Sequence, residues 1–210
     1  MIFHKTLKYI ICLNIFMFSR GFASNTIKCT NLIRHAIIFD KKMPSLYLEH
    51  DFDVDDKLKS DVYSIEHIFP RSHISSKHVN DMHNVIKTTN TLNVNRSNYK
   101  YVDDYNKDDI NWIKLDFENY VNHKKKQFIP NKSSRGFISR AILYMHKEYA
   151  YNPEKIISKD ILTKWFYENP PTQEEKYHNY LVKNMQNKNN VFVAHYNKKK
   201  SNVAKYIDMM

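Results

Sequence analysis

Only two of the 210 residues are glycine, Gly21 and Gly136. Glycine alone takes φ > 0 without steric cost, so each of the two is informative. Gly21 lies in an N-terminal apolar segment and Gly136 at the start of the strongest helix pattern in the chain. The rest of the composition is that of a folded protein: 42% hydrophobic, 26% charged, with 15 Tyr, 12 Phe and two Trp to build a core. A disordered chain would lack that aromatic content. The length suits one compact domain with short tails.

Residues 1–23 have the layout of a secretory signal peptide. Lys5 and Lys8 precede the short apolar run Tyr9 to Phe18, and Gly21-Phe22-Ala23 supplies small residues at the spacing of a cleavage site. The run is too short to span a bilayer comfortably. Export follows as an expectation, with cleavage near Ala23, a secreted or periplasmic location and no stable membrane association afterwards. Cys29 is then the only cysteine left, which rules out an internal disulfide and a Cys-rich zinc module. Formal net charge is +11; three basic and no acidic residues lie in 1–23, leaving +8 for 24–210. A basic surface attracts polyanions, foremost nucleic acid, though charge alone fits a merely basic soluble protein equally well.

Residues 24–60 read as a mixed lead-in, with Thr30 to Asp40 a short helix or strand and Asp51 to Asp56 a solvated acidic stretch. Residues 61–70 are β-branched and aromatic, which predicts a strand ended by Pro70. A polar loop follows to 83, then a strand end and a helix over 84–98, and a polar surface loop over 100–111. Lys124-Lys125-Lys126 reads as a solvated turn. Over 133–150, Ile138, Ala141, Ile142, Met145 and Tyr149 recur at helical spacing, with Ser133 or Ser134 as N-cap and Asn152-Pro153 closing the helix. Ser158 caps a further helix to about Glu168, burying Ile161, Leu162, Trp165 and Phe166. Thr172 to Glu175 forms a capping box opening a helix to about Gln186, with Tyr177, Tyr180, Leu181 and Met185 on one side. The tail 198–210 is basic and expected to be mobile. The expected domain spans 24–197.

The chemistry-bearing residues are Glu66, His67 and Asn93. A carboxylate and an amide oxygen are hard ligands suited to Mg²⁺, and a neutral imidazole takes a proton from water near neutral pH. Neighbours on an ideal strand point to opposite faces, so Glu66 and His67 converge only if the backbone bends. Spacing alone makes this weak. The wider pattern strengthens it: Glu66-His67-Ile68-Phe69-Pro70, then Asp81-Met82-His83-Asn84-Val85, then Asn93-Val94-Asn95-Arg96-Ser97-Asn98. Two more pieces follow, Ser134-Arg135-Gly136-Phe137-Ile138-Ser139-Arg140 with its Tyr144-Met145 ending, and Gln186 to Val193.

These five pieces, in this order over roughly residues 60 to 193, resemble the bacterial endonuclease I family of extracellular and periplasmic nucleases. The resemblance implies an α+β, mainly helical single domain around a ββα-metal (His-Me finger) core. It implies a non-specific endonuclease acting on DNA, with RNA as a further candidate, and leaving 5′-phosphate products. His67 would be the general base. Glu66 and Asn93 would hold one Mg²⁺, with Mn²⁺ or Ca²⁺ as substitutes. Arg96, Arg140 and Arg135 would contact phosphate, and His83, Asn84 and Gly136 would support the site. Gly136 would serve either a close backbone approach, to nucleic acid or a neighbouring helix, or ordinary helix entry. A monomer is expected.

Family members often carry a Pro after the Asp-apolar-His-Asn piece and a Gly near the metal asparagine; this chain has Ile86-Lys87-Thr88 and Thr91-Leu92-Asn93-Val94 there. That departure keeps open a rival reading, a catalytically inactive nucleic-acid-binding protein on the same fold. His73 and His78 read as solvated loop residues, and Arg71 as a surface charge within reach of DNA. Asn95 and Asn131 both match the glycosylation acceptor pattern.

Overall fold

The computed structural model describes residues 34, 36–38, 43, 45–48, 63–197 and 203–208. The signal-like segment 1–23, Cys29 and the acidic stretch 51–56 lie outside the described residues. The chain divides into two units, residues 1–40 and 41–210. In the first, Arg34 and 36–38 are helical. Among the described residues no helix is long and apolar enough to cross a membrane.

In the second unit, strand β1 (Tyr63–His67) pairs antiparallel with β2 (Val85–Thr89), Glu66 opposite Ile86 and His67 opposite Val85. Helix α1 (Asn90–Arg96) starts directly after β2, its first turn capped by the Thr89 side chain accepting from Leu92 N. Asn, Thr and Val are poor helix formers. Packing overrides that weakness here, for Leu92 and Arg96 are buried against the hairpin. The result is a β–β–α frame.

A four-stranded sheet follows, in the order β3 (Lys100–Tyr101), β6 (Gln127–Ile129), β5 (Tyr120–Asn122), β4 (Ile113–Lys114). β3 runs parallel to β6, and the remaining pairs are antiparallel. So the expected loop over 100–111 begins as a strand, with Tyr101 buried. The tight turn before Asn119 puts two consecutive residues, Phe117 and Glu118, at positive φ. Asn119 holds it: its buried amide donates to the Tyr47, Asp116 and Phe117 carbonyls.

Helix α2 (Lys132–Tyr149) is the longest helix among the described residues. Its N-cap is Asn131, not Ser133 or Ser134: the Asn131 side chain accepts from Ser134 N. It ends at Ala150, which turns left-handed (φ 57°), three residues before Pro153, whose own role is to open a short 3-10 turn. Both faces are covered. Ile138, Ala141, Ile142 and Met145 are buried as expected, and so are Phe137, Arg140 and Tyr144. Burying each large apolar side chain contributes about 1.5–3 kcal/mol, so this helix supplies much of the fold's stability.

Helix α3 (Lys159–Glu168) is capped by Ser158 and buries Leu162, Trp165 and Phe166. Helix α4 (Gln173–Gln186) is capped by Thr172. Its buried face differs from the expected one. Glu175, His178, Asn179 and Val182 point inward, while Tyr180 is 61% exposed. The capping box is half made, because the Glu175 side chain turns to Arg140. After α5 (Val191–Ala194), helix α6 (Val203–Asp208) seats Val203 and Ile207 in the core, where a mobile tail was expected. Burial of two apolar side chains is the physical reason that stretch is ordered.

Candidate active site

The β–β–α frame places the three chemistry-bearing residues. Helix α1 packs over the strand face that carries Ser64 and Glu66. Asn93 Nδ2 donates to Ser64 Oγ at 2.6 Å and to the Ile65 carbonyl at 3.2 Å. With the nitrogen thus fixed to β1, Oδ1 is the amide atom left to act as an oxygen ligand. One turn later, Arg96 Nε lies 3.2 Å from Glu66 Oε1, an ionic contact whose N–H is not aimed at the oxygen. Helix α1 therefore reaches β1 near Glu66 through both Asn93 and Arg96.

Glu66 is 1% exposed. Its Oε1 also accepts the Tyr47 hydroxyl at 2.9 Å, and that hydroxyl lies 2.8 Å from Tyr101 Oη. Burial raises the carboxyl above its ordinary range, opposed by Arg96, the Tyr47 hydroxyl and the His67 amide. Tyr47 is fully buried at φ 69°. A bulky residue is strained there. Its backbone N–H donates to Ser134 Oγ, and its carbonyl accepts from Asn119. Tyr47 lies in a lead-in without motif character, and no local signal in the sequence marks it.

His67 ends β1, and its Nε2 is 2.9 Å from the Val79 carbonyl. A carbonyl oxygen can only accept, so Nε2 carries the proton and Nδ1 the lone pair of the neutral ring. The next residues are fixed by Asn84. Its Oδ1 accepts from Phe69 N at 2.7 Å and its Nδ2 donates to Phe69 O at 3.0 Å, while Ile68 N donates to the Asn84 carbonyl. The side chain thus continues the hairpin ladder past His67, where the chain turns toward Pro70.

The arginines expected to contact phosphate face protein acceptors instead. Arg96 is 1% exposed and donates to the carbonyls of Ile68 (2.6 Å), Ser97 (2.8 Å) and, more weakly, His67. Arg140, also 1% exposed, forms a two-pronged pair with Glu175 (2.7 and 2.5 Å) and donates to Asn169 O. Buried and engaged with protein acceptors, neither is presented to a phosphate. Arg135 is less enclosed but is held by Asp103 and the Pro130 carbonyl, over the Trp165 ring. Among the described residues, exposed cations on neighbouring segments include Arg71, just past Pro70, Lys77, Lys100, and Lys155, whose charge acts on His73.

Three of the five sequence pieces meet in one scaffold. Asp81 Oδ2 accepts the Tyr144 and Tyr149 hydroxyls, and Oδ1 accepts from His83 N. Met82 N donates to Gln186 Oε1, His83 Nε2 bonds to Lys188 O, and Asn190 Nδ2 donates to Arg140 O. Burial pulls the His83 imidazole below its ordinary range. Gly136 serves the neighbouring helix end: a Cβ there would lie 2.6 Å from Asn169 O and 2.8 Å from Arg140 Nη2. Asn131, one of the glycosylation patterns, is buried at 4%, whereas Asn95 is half-buried on α1.

Among the described residues no group of three or more His, Cys, Asp or Glu could hold a metal. Any ion at this frame would rest on a sparse oxygen set such as Glu66 with Asn93. The sequence model described as Endonuclease I matches residues 36–197. With that match covering most of the chain, on a β–β–α frame that carries the Glu-His and Asn pieces, this chain belongs to the endonuclease I family.

Proposed function

We propose that this nuclease is a secreted, metal-dependent endonuclease that hydrolyses DNA, with RNA as a further candidate substrate, to 5′-phosphate products. The observation that carries the reading is the His67–Val79 hydrogen bond, which makes Nε2 the protonated nitrogen of the neutral ring named by the Glu-His motif. Nδ1 would take a proton from water. The oxygen so activated attacks phosphorus, the bond to the 3′ oxygen breaks, and that oxygen is protonated to a 3′ hydroxyl as the 5′ phosphate forms.

The donor chemistry fits a Mg²⁺ that keeps several waters. Asn93 Oδ1 is one hard oxygen. Tyr47 and Arg96 occupy Glu66 Oε1, so Glu66 would bind through its other oxygen only. When bound, the ion would stabilise charge on the scissile phosphate and the leaving 3′ oxygen. Arg71, Lys100 and Lys155 would take the phosphate-binding role first given to Arg96 and Arg140. Affinity resting on such contacts falls with salt and carries no sequence preference. Export is proposed from residues 1–23, and a monomer is the assembly expected.

The test is plasmid cleavage with Mg²⁺, with EDTA, and with His67→Ala. Cleavage is expected with Mg²⁺, none with EDTA, and a loss of about 10²–10⁴-fold in the variant. Protein that binds DNA but never cuts it in Mg²⁺ or Mn²⁺ would establish the inactive-binder reading instead. Near-normal cleavage by His67→Ala would remove His67 from the mechanism.

A further inference from the structure

His67 is held by a backbone carbonyl, and that carbonyl lies in a loop. The loop between β1 and β2 runs over 68–84 and carries turns with little regular structure around Val79. Something must fix Val79 for the hydrogen bond to His67 to be dependable. The residue before it, His78, is the one that reaches the rest of the protein. Its ring stacks on Tyr149 at 3.9 Å between centroids and 15° between planes. Its Nδ1 lies 2.8 Å from the Tyr151 hydroxyl, whose oxygen also accepts from Ser75 N at 2.7 Å. The hydroxyl, accepting at Ser75, can donate its proton to His78. Tyr151 in turn packs against Phe69, on the other side of the loop, at 5.5 Å.

The far ends of the clamp are also fixed. Tyr149 closes α2, donates to Asp81, and accepts from Lys188 Nζ at 2.8 Å. Asp81 N donates to the His78 carbonyl at 3.0 Å, and His78 N to the Ser75 carbonyl at 2.9 Å. Val79 therefore sits between two residues, His78 and Asp81, that are both tied to the end of α2.

We propose that His78, Tyr149 and Tyr151 form a tautomer clamp: they position the Val79 carbonyl so that the neutral His67 ring is held as the Nε2–H form. These are positioning residues. They act on the reaction only through Val79 and His67, and the inference rests on His67 as the base. Without the clamp, the hydrogen bond from Nε2 to the Val79 carbonyl would weaken and the share of the Nδ1–H tautomer would rise. The Nδ1–H form has its lone pair on Nε2, turned toward Val79, and cannot take a proton from water at Nδ1. The rate would then scale with the Nε2–H fraction, while substrate binding would be untouched.

The experiment uses the full-length protein with ¹⁵N-labelled histidine. Long-range ¹H–¹⁵N spectra in mildly alkaline buffer, where imidazoles are neutral, read the tautomer of each ring; His67→Ala identifies the His67 signals. Tyr151→Phe keeps the ring against Phe69 and removes only the hydroxyl. His78→Phe keeps the stack on Tyr149 and removes only the Nδ1 contact. Wild type is expected to hold His67 as Nε2–H. Both variants are expected to show a mixed population, with kcat reduced in the same ratio at unchanged KM; a half-and-half mixture gives about a twofold loss. His67 remaining wholly Nε2–H in both folded variants overturns the clamp, as does a wild-type ring in the Nδ1–H form. If the tautomer responds but His67→Ala cleaves normally, the clamp stands and the assignment of the base fails, so the two claims separate.

Discussion

Gly136→Ala probes a close backbone approach between α2 and the end of α3. The added methyl would lie 2.6 Å from the Asn169 carbonyl oxygen, 2.7 Å from Asn169 Cβ and 2.8 Å from Arg140 Nη2. The Asn169 carbonyl is backbone at the end of α3, so relief requires α2 and that helix end to separate. Overpacking of this kind costs about 1–3 kcal/mol. The separation also pulls on Arg140, which bonds both Asn169 O and Glu175; full loss of a partner in a buried pair costs about 3–5 kcal/mol. Alanine returns about 1 kcal/mol of helix propensity. A net loss of roughly 2–4 kcal/mol is expected, which lowers Tm by about 5–15 °C in a domain of this size. The assay is thermal unfolding by far-UV circular dichroism, with plasmid cleavage measured well below Tm. Cleavage per folded molecule should be near wild type. A Tm equal to or above wild type would refute the packing argument. Weakened DNA affinity at unchanged Tm would place Gly136 against nucleic acid instead.

Two further outcomes follow from buried charge. Arg140→Met should destabilise by about 3–5 kcal/mol in denaturant unfolding because it strands Glu175, and Arg140→Met with Glu175→Leu should recover most of that. If the double variant keeps its stability but loses DNA affinity, Arg140 is a phosphate contact after all. His178 lies in α4 beside a small cavity lined by His83, Phe137 and Glu175. Burial, with His83 adding to it, pulls its imidazole down to about 3. The unfolded chain therefore binds that proton first: the stabilising contribution is complete above about pH 6.5 and is lost as pH falls toward 3, by about 1.4 kcal/mol per pH unit. Tm measured across that range should fall more steeply for wild type than for His178→Gln, and parallel curves would refute the assignment.

The β–β–α frame was legible because it is local: a β-branched strand stopped by proline, then a second strand running straight into a helix. The ends of α3 and α4 were legible for the same reason, since Ser158 and Thr172 cap their own helices. The buried face of α4 was not. Glu175, His178 and Asn179 face inward because Arg140, His83 and Asn190 meet them, and those partners come from other parts of the chain. Apolar spacing along one helix carries no trace of that. The arginines illustrate the same limit. A motif preserves Arg96 and Arg140 as letters, but whether a guanidinium faces phosphate or protein carbonyls is decided by what folds over it. Val79 acts through its backbone, which side-chain chemistry cannot reveal.

Among the described residues, seven that are not glycine adopt positive φ: Tyr47, Ser97, Phe117, Glu118, Lys126, Ala150 and Asn187. Left-handed backbone costs an ordinary L-residue about 1–2 kcal/mol, less for asparagine. In this glycine-poor chain, side-chain hydrogen bonds hold several of these positions in place. Tyr47 is pinned by Ser134 and Asn119, and the Phe117–Glu118 turn by Asn119 again. A single buried amide, Asn119, consequently governs the conformation of two distant segments, one of which delivers the Tyr47 hydroxyl to Glu66.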